Sequence, residues 1–360
     1  MSKSTFLALV LLVAMSGCAG SPTPHERVSM SSTPALVIGH RGASALRPEH
    51  TLEAYRKAIE DGADLIEPDL VSTRDGVLVA RHENEISGTT DVASRPEFAA
   101  RRTTKLVDGE RVEGWFSEDF TLAELKTLRA RERLPQLRST AYDGLYAIPT
   151  FDEVVALAAE ASTLRGRPIG LAPEIKHPTY FADLGLAMEE RLLASLRAHP
   201  HTRTAPVLIQ SFEIANLRVL RARIGRDSNL RLLQLLGAPD ERPYDAVVAG
   251  RAIRYGDMMR AEGLREIATY ADAIGPAYRD LDATAGRSRL IQDAHAAGVQ
   301  VVVYTFRPEN HFLGDYADDS GPAARHDAGA IALIRDHLAL GIDAFFTDDP
   351  ALGRRAVDGD

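Results

Sequence analysis

Leu36-Val37-Ile38-Gly39-His40-Arg41-Gly42-Ala43 and, farther on, Asp64-Leu65-Ile66-Glu67-Pro68-Asp69-Leu70-Val71 each join an apolar, strand-like run to charged side chains. The first run closes on an imidazole and a guanidinium, the second on two carboxylates one residue apart. Alternate residues of a strand point to the same side, so Glu67 and Asp69 can converge on one cation. The pair of segments outlines a metal-assisted phosphate site carried on strand ends.

From Ala35 onward, short β-branched or apolar runs alternate with longer amphipathic ones, the pattern of βα units and a parallel sheet. Eight strands are predicted: Leu36–Gly39, Asp64–Val71, Ile169–Lys176, Val207–Ser211, Leu230–Leu236, Asp272–Gly275, Gln300–Thr305 and Asp343–Thr347. Eight staves imply a closed TIM (β/α)8 barrel. Val77–His82 reads as a hairpin partner of the second strand, turned by Asp75-Gly76. Thr121 with Glu124 and Thr150 with Glu153 have capping-box spacing, while Gly62 and Gly298 stand where helices should end. The interval of about 84–148 breaks the alternation. It reads as an insertion between the second and third staves that covers the C-terminal mouth of the barrel, where such enzymes keep their chemistry.

Composition agrees with one large catalytic domain. The chain has 360 residues, 45% hydrophobic and 26% charged, enough to bury a sizeable core. A formal net charge of -9 argues against a nucleic-acid partner, which clustered Lys and Arg would have to hold. Residues 1–17 read as a signal peptide: Lys3 is basic, Phe6–Met15 is apolar but too short to span a bilayer, and Ser16-Gly17 are small. They precede Cys18, the only cysteine, in an arrangement that resembles a bacterial lipobox with Met15 where Leu is usual. The expectation is an exported protein lipidated at Cys18, tethered through residues 18–34 and anchored in the bacterial envelope, facing the periplasm or in the outer membrane. A single cysteine allows no intrachain disulfide, so residues 35–355 must hold together by packing alone.

Polar residues gather at the C-terminal ends of separate predicted strands. His40 and Arg41 follow the first, Glu67 and Asp69 close the second, Glu174 and Lys176 the third, Gln210 the fourth and Tyr304 the seventh. Glu67, Asp69 and Glu174 make an all-oxygen set suited to a hard cation, Ca2+ or Mg2+. Arg41 offers forked donation and Lys176 a compact charge to a phosphate. With a divalent ion this set carries one net positive charge and complements a phosphodiester; without it the set is negative. His40 and His82 are the acid/base pair, because imidazole titrates near neutrality. His177 can reach the rim; His25, His50, His199, His201, His295, His311, His326 and His337 have no partners recognisable in the sequence and are expected mostly at the surface.

The blocks HRGASALRPEHT (40–51), ADLIEPDLVSTRDGVLVARHE (63–83) and LAPEIKHP (171–178) resemble the signature segments of the glycerophosphodiester phosphodiesterase family, most closely its periplasmic GlpQ-like branch. Weaker similarity continues through Gln210-Ser211-Phe212 and Phe346-Thr347-Asp348. The resemblance implies hydrolysis of glycerophosphodiesters to sn-glycerol 3-phosphate and an alcohol, usually with Ca2+. It places Glu67, Asp69 and Glu174 as metal ligands, Arg41 and Lys176 on the phosphate, and His40 and His82 as base and acid. Gln210, Phe212 and Tyr304, at or next to strand ends, are expected as further substrate contacts. The glycerol 2-hydroxyl would attack phosphorus, a held intramolecular geometry replacing a bimolecular encounter. Glu83 departs from the Asp expected after the catalytic His, a change from which little is expected. Two rival readings are a phospholipase D-like barrel acting on lysolipids and a surface lipoprotein that binds without catalysis.

Overall fold

A computed structural model describes residues 34–359 apart from 227 and 282–287; Cys18 and the expected leader lie outside the described residues, as does the expected tether up to residue 33. The strands are β1 (Leu36–His40), β2 (Leu65–Glu67), β3 (Asp69–Ser72), β4 (Leu78–Ala80), β5 (Thr103–Val107), β6 (Glu110–Gly114) and β7 (Gly170–Leu171). They continue as β8 (Glu174–Ile175), β9 (Val207–Ser211), β10 (Leu230–Leu235), β11 (Ala273–Gly275), β12 (Gln300–Phe306) and β13 (Ala344–Thr347). Parallel pairing runs from β10 through β11, β12, β13, β1 and β2 to β7 and β9, and β9 pairs back onto β10. The sheet therefore closes into the expected eight-staved barrel, with β2/β3 and β7/β8 each forming one stave.

Those two staves differ from the expectation of unbroken strands. Pro68 interrupts the second and Ala172-Pro173 the third, because proline has no N–H to give to the ladder. At its break the second stave changes a neighbour, whereas the third stays between the second stave and β9 on both sides of its own break. β2 pairs with β1 and β7, while β3, one residue on, pairs with β8 and, antiparallel, with β4. The β3–β4 hairpin turns at Asp75-Gly76 with Gly76 at φ 80°, as its sequence predicts.

Period-two alternation sorts the staves' side chains. Ile38, Leu65, Ala172, Leu233, Ala273, Val302 and Ala344 fill the barrel interior. Their neighbours Val37, Ile66, Leu171, Leu232, Ile274, Val301 and Phe345 face the surrounding helices, forming the larger core. The helices start where the sequence says: Thr121 with Glu124 and Thr150 with Glu153 form reciprocal capping boxes. Between β4 and the helix Phe151–Arg165, the irregular segment carries the two-stranded hairpin β5–β6 and the short helix Leu122–Leu125.

Candidate active site

The turn after β1 builds the first corner. Arg41 has φ 57° and Gly42 φ 89°, and a Cβ on Gly42 would lie 2.5 Å from the Ala54 backbone, so glycine is required there. This turn aims the Arg41 amide at Glu67 Oε2 (2.7 Å), while the Arg41 guanidinium donates to Glu49 (2.8 Å) and lies 3.6 Å from Asp69. Strand register does the rest. His40 is level with Glu67, and Asp69, Glu174 and Gln210 are level across three adjacent strands.

Glu67, Asp69 and Glu174 are buried, with one carboxylate oxygen of each lying within 4.8 Å of the others. Burial, reinforced by the neighbouring Asp69, pushes Glu67 and Glu174 above the usual carboxylate range. Asp69 stays low in spite of its burial, through His82 and His50, and its Oδ1 has no hydrogen-bond partner among the described residues. Three crowded oxygen donors, one of them orphaned, fit a hard divalent cation.

Lys176 Nζ sits 2.9 Å from Glu174 and 3.4 Å from His82 Nε2. His40 Nδ1 lies 2.5 Å from Asp348, an orientation that leaves Nε2 to face the cavity. Burial and then Arg41 lower the pKa of His40, and burial, Arg41 and Lys176 lower that of His82, so both imidazoles are neutral. All but two of the expected site residues line one cavity of about 140 Å3: His40, Arg41, Glu67, His82, Glu174, Gln210, Phe212 and Tyr304. Asp69 lies beside the Glu67 and Glu174 carboxylates, and Lys176 lines a larger pocket that shares Glu174 and Phe212 with this cavity. Gln210 donates to Glu67 (3.3 Å) and the Ala172 carbonyl, and the Tyr304 hydroxyl donates to the Leu236 carbonyl (2.7 Å). These two polar groups therefore brace the site, and the Tyr304 ring is what remains to meet a substrate.

Several participants were not legible as such. His50, expected at the surface, is wholly buried, with Nε2 2.8 Å from Asp69 and Nδ1 2.7 Å from the Tyr55 hydroxyl. His337 is buried too, between the Leu333 and Tyr278 carbonyls. Glu83 does more than expected: it lies 2.6 Å from His82 and 3.2 Å from His177. His177 continues to Asp108 (2.6 Å) in the β5–β6 turn. Burial alone would depress His177, but its bonds to Asp108 and Glu83 outweigh that and raise it to about 9, so it is a cation.

The irregular segment also reaches beneath the site. Arg133 makes a forked bond to Glu49 (2.8 and 2.6 Å), the carboxylate that holds Arg41. Arg138 meets Asp348 (2.5 Å), the carboxylate that holds His40, together with Glu309 and the Ser44 carbonyl. Loss of Arg138 would leave buried Glu309 without its ion-pair partner and Asp348 with Arg307 alone (3.1 Å); breaking a buried pair in this way typically costs about 3–5 kcal/mol.

The fold and this set of charges define a barrel enzyme class with a buried acidic cluster beside the basic side chains Arg41 and Lys176. The family model for the glycerophosphoryl diester phosphodiesterases matches residues 40–352, and the chain belongs to that family. It is 33% identical to a glycerophosphodiester phosphodiesterase of Arabidopsis thaliana, over 95% of this chain and 92% of that protein. It is 28% identical to one of Haemophilus influenzae, over 77% of this chain and 78% of the other. Among solved structures, a Silicibacter pomeroyi protein described as a glycerophosphoryl diester phosphodiesterase shares the fold, with TM-score 0.63 and 20% identity over 92% of this chain and 95% of its own. An Oleispira antarctica phosphodiesterase, crystallised with the product sn-glycerol-3-phosphate, has TM-score 0.55 and 20% identity over 90% and 97%.

Proposed function

We propose that the chain hydrolyses glycerophosphodiesters to sn-glycerol 3-phosphate and an alcohol, with a divalent cation held by Glu67, Asp69 and Glu174 and with His40 and His82 as the proton-transfer pair. The observation that carries this is the convergence of two imidazoles, a guanidinium and two carboxylates on one small cavity at the strand ends, with Asp69 completing the acidic cluster and the Lys176 ammonium 2.9 Å from Glu174. The Oleispira neighbour's bound product supports the same substrate class. A bound cation would polarise the phosphoryl oxygens and offset the carboxylates. Calcium suits the all-oxygen donors, and magnesium would take fewer of them.

Arg41 and Lys176 hold the phosphoryl oxygens. Neutral His40, its Nδ1 side engaged by Asp348, is oriented to take a proton at Nε2 from the attacking hydroxyl. His82 returns a proton to the departing alcohol oxygen, and water then opens the resulting cyclic phosphate to give glycerol 3-phosphate. A phosphodiester anion placed against Arg41 and Lys176 counters the two charges that hold His82 neutral, so substrate binding itself raises the proton affinity of this imidazole.

A deacylated substrate is favoured over a lysolipid by the lining beyond the small cavity, where Asp108, Glu213, Asp240 and Glu241 would meet an acyl chain. Glycerophosphocholine should therefore be cleaved and lysophosphatidylcholine left essentially intact in the same assay. Comparable turnover of the lysolipid would replace this reading with the phospholipase D-like one. Export and acylation at Cys18 belong to the proposal as well: a Cys18→Ser protein should move from the membrane fraction to the soluble one, and continued membrane retention would remove the anchor.

A further inference from the structure

His40 ends β1 and Arg41 follows it, and each is held by one buried carboxylate: His40 by Asp348 (2.5 Å) and Arg41 by Glu49 (2.8 Å). Both carboxylates are gripped in turn by one short arm of the irregular segment, residues 132–138. Arg133 places its fork on Glu49, with Nε on Oε2 (2.8 Å) and Nη2 on Oε1 (2.6 Å). Arg138 donates to Asp348 Oδ2 (2.5 Å) and leaves Oδ1 to His40. Its other bonds reach Glu309 (2.7 and 3.2 Å) and the Ser44 carbonyl (3.0 Å). One guanidinium thus fastens the turn after β1, the loop after β12 and the residue after β13.

The other charged groups nearby do not duplicate this grip. Arg307 Nε lies 3.1 Å from the Asp348 oxygen that Arg138 holds, but the Arg307 side chain also lines the small cavity and stacks on Phe312 (4.6 Å). Arg81 donates to the Glu49 carbonyl (2.7 Å), which fixes the backbone and leaves the carboxylate to Arg41 and Arg133. Glu132 is acidic and caps the Leu134 amide (2.8 Å), where the turn that carries Arg138 begins. The arm has no regular structure, and its apolar side chains are not buried: Leu134 and Leu137 are half-buried and Pro135 is exposed. Little apolar area therefore rewards its docking for its own sake. Its strongest bonds end on the two carboxylates that aim His40 and Arg41.

We propose that Arg133 and Arg138 are positioning residues with separate tasks: Arg133, through Glu49, sets Arg41 against the phosphoryl group, and Arg138, through Asp348, sets the His40 ring for proton transfer. This rests on the diesterase reading, and it assigns part of the catalytic geometry to the insertion. A guanidinium on one carboxylate oxygen fixes the direction of the other. Without it the carboxylate can rotate, and a misplacement of about 1 Å at the reacting groups can cost about 10²-fold in rate.

The test measures kcat and KM on glycerophosphocholine and glycerophosphoglycerol with saturating calcium, and titrates sn-glycerol 3-phosphate into each protein to count folded sites and read their affinity. Arg138→Met should lower kcat by about 10²-fold while product stoichiometry and affinity stay native, since Arg41 keeps its place. Arg138→Lys keeps the buried charge but offers Asp348 a single swivelling ammonium, so its kcat should fall between, about tenfold below the native chain; it decides the matter where Arg138→Met does not fold. Arg133→Gln should raise KM and the Kd of the product about tenfold and leave kcat within about twofold, the loss of one aimed charged contact. Native kcat in every folded Arg138 variant, or a fall that only mirrors lost product-binding sites, overturns the Arg138 task. An unmoved KM and Kd in Arg133→Gln overturn the Arg133 task, and kcat and KM shifted alike in both sets of variants reduce the arm to a structural brace. Each of these leaves the diesterase intact, whereas a native chain that cleaves neither substrate overturns the diesterase reading and the positioning roles with it.

Discussion

Removal of divalent cations is expected to abolish release of glycerol 3-phosphate, and added calcium or magnesium to restore it. Without a cation, Glu67, Asp69 and Glu174 are crowded like charges, two of which are pushed toward holding protons, and nothing is left beside Arg41 and Lys176 to polarise the phosphoryl oxygens. The same carboxylates explain the expected pH dependence. Burial and Asp69 raise Glu67 and Glu174, so protons compete with the cation and metal affinity must fall as pH falls. Stability derived from the metal is therefore present at neutral pH and is lost on acidification. At a hundredfold excess of cation over its Kd the gain is about 2.7 kcal/mol, measurable as a raised Tm. His50→Ala should cost about 10- to 100-fold in metal affinity or activity, because it removes the bond that aims Asp69. Full turnover in a preparation verified to be metal-free would sink the metal-dependent mechanism.

Replacement of His40 or His82 by Ala is expected to lower kcat by about 10²- to 10⁴-fold, the usual worth of one positioned proton transfer. The acid limb of the kcat/KM profile should lie below the ordinary imidazole value of 6.5, since burial and Arg41 hold His40 down and its protonated form cannot accept a proton. Activity is thus retained above that limb and lost below it, with metal loss adding to the fall. Calcium titration of both variants separates the two causes: a proton-transfer role leaves the calcium-dependent Tm rise in place, whereas a collapsed acidic centre removes it. Near-native rates in both variants would exclude the pair from the chemistry.

Glu83 illustrates how a small departure in sequence acquires meaning only in three dimensions. Its carboxylate spans His82 and His177, and His177 in turn holds Asp108 at the tip of β5–β6. The hairpin is thereby tied to an imidazole that lines the small cavity at the strand ends. No residue adjacent to Glu83 in the chain announces this link, because Asp108 and His177 approach it from separate excursions.

Local pattern was enough for the staves, the Asp75-Gly76 turn, both capping boxes and the row of polar residues at the strand ends. Apolar period, turn chemistry and cap geometry act over a few neighbouring residues, so the amino-acid string alone carries them. It could not carry the partners of those polar residues. His40 meets Asp348 across 308 positions, Arg138 meets Asp348 across 210, Arg133 meets Glu49 across 84 and His50 meets Asp69 across 19. Barrel closure between β9 and β10 and the strand breaks at Pro68 and Pro173 decide which side chains stand level. Ionic and hydrogen-bonded contacts depend on that distance in space, and only the folded chain brings it within bonding range.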